Sequence, residues 1–370
     1  MRPLLFWKCE KRRVTPISES RMPQARISSQ RADPSAESSP EALPFRVRGR
    51  LAPSPTGHLH LGNAWSFLLC WLAVRAAGGV LVLRMEDIDP DRSRPEYAAE
   101  IMRDLDWLGL DWDEGPPGAL YSQSTRLERY AEVLGTFMRD GLAYPCYCTR
   151  KELKSMASAP HAEDMGPVYP GTCLGLTDAE RRLREREGRR ACLRLHGGED
   201  TRFTDLARGP AHFGWAECGG DFPLRRSDGV ISYQLAAAVD DADQRITLVV
   251  RGRDILPSTP RQMLILRLMK APLPRYAHVP LLLDHEGERL AKRHQALTLK
   301  SLREAGIRPE AVTGYLACRA GLLPRPGSLS PLQLVPFFSW DRLPRHDVRL
   351  EPDMLPRLRG LRLATAPCAR

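Results

Sequence analysis

The feature that most constrains the fold is a strand, a turn, a helix, a Gly-Gly pair and a second strand in direct succession. "FRVRGRLA" reads as a strand, "NAWSFLLCWLAVRAAGG" as a helix that is apolar on nearly every face, and "VLVLRME" as the next strand. A helix this apolar is expected where it is buried against a parallel sheet, so the sequence predicts a βαβ unit in an α/β domain. Sheets of this kind bind ligands at the carboxyl ends of their strands, and both "APSPTGHLHLG" and "RMEDIDPDRS" fall there.

The remaining chain reads as modules around that unit. "PEYAAEIMRDLDWLGLDW" has helical spacing and is broken by "DEGP"; residues 121–145 read as another helix leading into a cysteine-bearing loop. Apolar strand-like runs return at "GVISYQLAAAVDDA" and "RITLVVRGRDIL", resembling the missing half of the sheet, followed by a helix at "TPRQMLILRLMKA" and helical character over 300–323. The expected organisation is a disordered extension (1–45), the first half of the catalytic domain (46–96), an insertion (97–225), the second half (226–299), and a helical region with a C-terminal tail (300–370). The first 45 residues carry eight Arg/Lys against five Asp/Glu, and their one apolar run, Pro3 to Trp7, is too short for a signal-peptide core.

No run of 18 apolar residues interrupts the 370-residue chain, so no membrane-spanning segment is expected. A formal charge of +10 suits a polyanionic partner, but only seven of the 55 basic residues are lysine, which weakens that signal. Nine scattered cysteines, an odd number, fit a reducing cytosol better than a disulfide framework.

In "PSPTGHLHLGN" the prolines and Gly57 set a tight path after the strand, and Gly62 allows close approach at the helix start, where N–H groups and the positive dipole end suit a triphosphate. His60 could neutralise charge developing on a phosphoryl group. The lysine of a Walker loop and the three glycines of a dinucleotide fingerprint are missing, so a capped strand-to-helix turn is an equal reading of this stretch alone. A metal site on His58 and His60 would need further ligands, none of which is evident; His58 reads as a surface or packing residue. Cys146, Cys148 and Cys173 lie on turn-rich segments and are one ligand short of tetrahedral zinc, leaving a zinc site and unpaired core cysteines both open.

"RLAPSPTGHLHLGNA" resembles the first signature of class I aminoacyl-tRNA synthetases in its glutamate-specific form, with His60, Leu61, Gly62 and Asn63 in its four places and Asn63 where a second histidine often stands. "RMEDIDPDRS", "LGLDWDEGP", "SYQLAAAVDD", "VVRGRDIL" and "RLAKRHQA" are similar to later family signatures, in the family's order, over about residues 46–320. The last resembles a KMSKS loop altered to place Arg289 first and Arg293 after Lys292. The resemblance implies a Rossmann-like parallel-sheet nucleotide-binding domain with an inserted zinc-bearing subdomain and a short helical C-terminal region.

It also implies roles. His60 and Lys292 would be catalytic at the ATP phosphates, with Gly62 and Asn63 completing an ATP site that uses Mg2+. Arg50 and Arg251 would hold the carboxylates of L-glutamate, Ser54 would add a hydrogen bond, Glu86 would pair with the ammonium, and Tyr233 would line the pocket. Read singly, Arg50 and Arg251 would be surface ion pairs and Glu86 a neighbour of a helix cap, while Asp87 and Asp89 read as turn and capping residues. One structural Zn2+ per chain would be held by Cys146, Cys148, Cys173 and, by the resemblance, Tyr169.

Only about 70 residues follow Lys300, too few for a helical anticodon-binding module. The resemblance is therefore closest to the truncated paralogues called glutamyl-Q tRNA(Asp) synthetases. It implies tRNA-independent activation of L-glutamate with ATP and transfer to the queuosine base of tRNA(Asp), by a cytoplasmic monomer. The alternatives are a shortened glutamyl-tRNA synthetase charging the tRNA 3′ end, an inactive tRNA-binding paralogue, and a basic α/β protein with a nucleotide cleft.

Overall fold

The computed structural model describes residues 46–149, 151–153, 168–290 and 297–361; the expected N-terminal extension, Lys292 and the end of the C-terminal tail lie outside the described residues. β1 (Arg48–Leu51) and β2 (Val80–Leu83) pair in parallel from Arg48↔Val80 to Leu51↔Leu83, joined by the helix Leu61–Ala76. This is the expected βαβ unit. The helix starts two residues before Asn63 because His60 caps it, and it buries Leu61, Trp65, Leu68, Leu72 and Val74. It lies so close to β1 that a Cβ on Gly49 would overlap the Val74 side chain.

The strands that follow are β3 (Ala143–Cys146), β4 (Cys192–Leu195), β5 (Thr201–Asp205), β6 (Gly209–Phe213), β7 (Phe222–Arg225), β8 (Leu248–Gly252), β9 (Arg275–Val279), β10 (Leu282–Leu283) and β11 (Val348–Arg349). The main sheet has the order β2-β1-β8-β9-β5-β6. All its pairs are parallel except the β5–β6 hairpin, making it a mixed, largely parallel α/β sheet.

Two elements differ from expectation. The run "GVISYQLAAAVDDA" supplies a helix, Tyr233–Asp243, rather than a strand. Ser232 caps it by accepting the Leu235 N–H at 3.3 Å, and Gln-Leu-Ala-Ala-Ala is strongly helix-forming; its continuous apolarity reflects burial on several faces. The second difference is that β5 and β6, within the stretch expected as an insertion, belong to the main sheet, with β5 parallel to β9. The separate antiparallel sheet consists of β3, β4 and β7 alone.

That small sheet and the helix Leu127–Arg139 share one apolar core with the helices Tyr233–Asp243 and Thr259–Leu268, through Tyr130, Phe137, Phe222, Leu235 and Ile265. The helical stretch after residue 298 is two helices, Leu299–Glu304 and Pro309–Arg319, parted at Gly306 with φ +70°. The C-terminal segment closes back on the first helix: Tyr315, Leu316, Leu334 and Met354 share its core, and β11 pairs in parallel with β10. Among the described residues no helix is long and apolar enough to cross a membrane.

Candidate active site

The carboxyl ends of the parallel strands converge on one cavity of about 770 Å³. β1 delivers Arg50, the segment after β2 delivers Glu86, and β8 delivers Arg251. Ser54, His58, His60, Gly62 and Asn63 come from the turn between β1 and the first helix, and Tyr233 from the first position of its helix. Every glutamate- or ATP-site residue expected from the sequence thus lines this cavity, apart from Lys292.

Arg50 and Arg251 are not surface ion pairs: they are 4% and 6% exposed. Arg50 donates from Nε to Asp241 at 3.2 Å and from Nη1 to the Val250 carbonyl at 3.3 Å, leaving three further N–H donors beside the cavity. Asp241 also accepts from Arg84 at 2.7 Å, and Arg84, fully buried, donates to Glu86 at 3.1 Å and to Gln244 at 3.0 Å. Glu86 is therefore an ion-paired wall of the cavity rather than a neighbour of a cap. Burial pushes its carboxyl up, while Arg84 and Arg50 pull against that rise. Burial also opposes ionisation of Asp241, but Arg84 and Arg50 hold it below the usual carboxylate range.

Arg251 is held from three sides. Nε donates to His278 at 3.0 Å, Nη1 to Gln262 at 2.7 Å and to Tyr233 at 3.4 Å, and Nη2 to Thr259 at 2.7 Å. His278, at the end of β9, has its Nδ1 2.6 Å from Asp205, at the end of β5. Arg84, Asp241, Asp205, His278, Thr259 and Gln262 were not singled out by sequence reasoning. A signal existed for the first two, charged residues inside the apolar runs "VLVLRME" and "AAAVDDA". None existed for Asp205 and His278, which lie 73 positions apart.

The end of the cavity at the start of the first helix is organised by His60. Its Nδ1 accepts the Gly62 N–H at 3.1 Å, and its own backbone N–H donates to Asn63 Oδ1 at 3.0 Å, a reciprocal capping box. The Gly62 N–H expected to face a ligand is thus taken by His60, whose ring proton is carried on Nε2. What approaches Gly62 closely is this ring, 3.0 Å from where a Cβ would stand. His58 packs edge-on against Tyr97 at 5.2 Å between ring centroids, a packing role as expected. Asp87 accepts from Ser124, and Asp89 from the Asp91 amide and from Arg226. Leu290 lines the cavity, and Thr298 pairs with His60 across an antiparallel bridge, so both flanks of residues 291–296 are anchored there.

A second cluster lies in the small sheet. The sulfurs of Cys146, Cys148 and Cys173 lie within 4.8 Å of one another, with Cys148 and Cys173 3.6 Å apart. Sulfurs sharing a tetrahedral zinc with Zn–S bonds of ~2.3 Å stand about 3.8 Å apart, so the set fits that ion. The Tyr169 hydroxyl lies 3.3 Å from Cys146 Sγ and 4.0 Å from Cys148 Sγ, inside the same cluster. Burial, and then the neighbouring Cys146, push the Cys148 thiol up to about 12. Cys173 is held below its ordinary value despite burial, by the Tyr147 N–H and the Tyr169 hydroxyl.

The family model for "tRNA synthetases class I (E and Q), catalytic domain" matches residues 46–326. The chain belongs to the class I tRNA synthetases of the E and Q type. It is thus an enzyme of the ligase kind, and the residues lining its cavity lie within the matched catalytic domain. The chain is 54% identical to the glutamyl-Q tRNA(Asp) synthetase of Nitratidesulfovibrio vulgaris and 50% identical to that of Symbiobacterium thermophilum, covering 85% and 84% of this chain and 98% of each relative. It is 41% identical to a glutamate–tRNA ligase of a Synechococcus species, over 82% of this chain and 64% of that protein. Among solved structures it is similar to a glutamate tRNA ligase from Elizabethkingia meningosepticum, in complex with its amino acid. The TM-score is 0.71 at 26% identity, covering 85% of this chain and 69% of that one.

Proposed function

We propose that this synthetase activates L-glutamate with ATP in the absence of tRNA and transfers the glutamyl group to the queuosine base of tRNA(Asp). The observation that carries the activation step is the presence, in one cavity, of two buried guanidiniums, Arg50 and Arg251, with the Glu86 carboxylate, whose side chain is 8% exposed. A dicarboxylic amino acid with one ammonium matches that charge pattern. Arg50, with three N–H donors beside the cavity, takes one carboxylate in a forked grip; Arg251, whose other donors are engaged, adds a single N–H. Glu86 takes the ammonium, and Ser54 and Tyr233 complete the pocket.

In activation the substrate carboxylate attacks the α-phosphorus of ATP, the bond to the bridging oxygen breaks, and pyrophosphate leaves. Negative charge grows between the phosphates, so positioned donors there lower the barrier. His60 serves this from Nε2, and Lys292, in the sequence between Leu290 and Thr298, supplies a cation. A hydroxyl of the queuosine ring then attacks the acyl carbon, releasing AMP. Zinc, held by Cys146, Cys148, Cys173 and Tyr169, would tie β3 to the segment around residue 170 as a structural cross-link.

The acceptor rests on the two relatives at 54% and 50% identity, named for it. The glutamate–tRNA ligases at about 41% identity favour a second reading, charging of a tRNA 3′ end. Glutamate-dependent exchange of pyrophosphate into ATP without tRNA tests activation, and its absence would defeat the proposal. Labelling of tRNA(Asp) only when it contains queuosine is the expected acceptor result; equal labelling of queuosine-free tRNA, or of tRNA(Glu), would replace it with the second reading.

A further inference from the structure

The strand β5 ends in Asp205, and next to it β9 ends near His278; both side chains are fully buried behind Arg251, away from the substrate pocket. Their hydrogen bonds define a direction. The Arg251 Nε–H can only donate, so His278 Nε2, 3.0 Å away, must accept. The ring proton is then on Nδ1 and points at Asp205 Oδ2, 2.6 Å away. Thr259 Oγ, which takes the Arg251 Nη2–H at 2.7 Å, stands 3.0 Å from the same His278 nitrogen. Burial keeps the imidazole neutral, its pKa drawn down to about 4.

Asp205 is fixed in turn. Its Oδ1 accepts the N–H groups of Ala207 and Arg208 at 3.0 Å, the His278 N–H is shared between both oxygens at 3.1 Å, and Oδ2 faces the imidazole. With three of the five Arg251 donors spoken for by His278, Thr259 and Gln262, and a fourth turned toward Tyr233, one Nη2–H remains among the described residues. The value of that last donor depends on where the guanidinium plane is held.

We propose that Asp205 and His278 are positioning residues for amino-acid capture: Asp205 fixes the Nδ1–H tautomer of His278, and that tautomer holds Arg251 at the angle that serves a substrate carboxylate. The assignment rests on the glutamate-activating reading given above. It makes a sharp statement about Asp205→Asn. In that variant the Ala207 and Arg208 N–H groups, which reach Oδ1 alone, demand the amide oxygen at the Oδ1 place, which puts the NH2 against Nδ1. The ring proton must then move to Nε2, where it confronts the Arg251 Nε–H, donor against donor.

The test combines nitrogen-15 NMR of histidine-labelled protein, with His278 assigned by its missing signal in His278→Gln, and pyrophosphate-exchange kinetics. The wild type is expected to show Nδ1–H and Asp205→Asn to show Nε2–H. The same variant should raise KM for glutamate about tenfold or more, with KM for ATP changed less than about twofold. His278→Gln, able to accept from Arg251 and donate to Asp205, should stay near wild type, and His278→Leu should lose glutamate affinity. An Nε2–H tautomer in the wild type overturns the proposal. So does a switched tautomer with unchanged glutamate KM, or an equal rise in both KM values. If Asp205→Asn does not fold, the His278→Gln and His278→Leu pair decides the same point. Absence of glutamate exchange in the wild type defeats the glutamate reading instead, and the tautomer spectra still show whether Asp205 sets the imidazole.

Discussion

Asp241→Asn is expected to destabilise the protein by about 3 kcal/mol, at the lower end of the range for removing one partner of a buried ion pair. The magnitude follows from the charges around it. Asp241 is 5% exposed and receives Arg84 at 2.7 Å and Arg50 at 3.2 Å on the same oxygen. Among the described residues the other carboxylates against Arg84 are Glu86 and Asp240, and Asp240 is shared with Arg126 at 2.7 Å. Neutralising Asp241 therefore leaves the buried guanidiniums of Arg50 and Arg84 with Glu86 and an Asp240 already shared with Arg126, which has Asp243 as its second partner. The asparagine keeps the shape and one acceptor, but turns an NH2 toward a cationic neighbourhood. A loss of about 3 kcal/mol lowers the folding constant over a hundredfold and removes a large part of the ~5–15 kcal/mol typical of a folded protein. Urea denaturation followed by circular dichroism at neutral pH, with the transition slope unchanged, reads this directly. Because the native carboxyl lies below its unfolded value, its contribution is full above the ordinary aspartate range and drains as pH falls through the lowered value. The gap between wild type and variant should thus close in acid. A difference below about 1 kcal/mol at neutral pH would show that water or a side-chain shift satisfies the two arginines, and the reasoning would fail.

His278, with its pKa drawn from 6.5 to about 4, gives a second pH signature of opposite origin. The unfolded chain takes up a proton below about 6.5 and the native imidazole resists until about 4, so stability falls across that window as pH drops, by up to about 3 kcal/mol. His278→Gln should flatten this slope in urea titrations at several pH values; equal slopes would refute it. Metal analysis of protein purified without chelators should find about one zinc per chain, lost in Cys173→Ser together with several degrees of melting temperature. Gly62→Ala should fold normally but lower the exchange rate roughly tenfold, since the added methyl displaces the His60 ring from its cap. An unchanged rate would show that the ring's place is not needed.

The cavity was legible in the sequence where function is carried by short stretches. The turn from Arg50 to Asn63 holds its residues within one strand end and one helix start, and its position on the sheet follows from the βαβ pattern. Arg251 and Tyr233 came from comparably compact stretches. The buttress behind them was not legible, because Asp205 reaches Arg251 through a parallel pairing of β5 with β9 that no local pattern announces. The same gap explains the strand-like reading of "GVISYQLAAAVDDA". A run buried on several faces loses the periodicity that separates helix from strand, and Ser232 was its only local marker. Glu86 shows the reverse case, where the residue was legible but its partner Arg84, two positions earlier, was not read as the group that holds it.

β1 pairs with β8 at Gly49↔Leu248, so neighbours at the centre of the sheet are made about 200 residues apart in synthesis. At ~5–20 residues per second, β1 and its apolar helix emerge from the ribosome roughly 10–40 s before the strand that covers their edge. The nascent chain must hold a half-built sheet with an open, pairing-competent edge through the whole translation of the insertion.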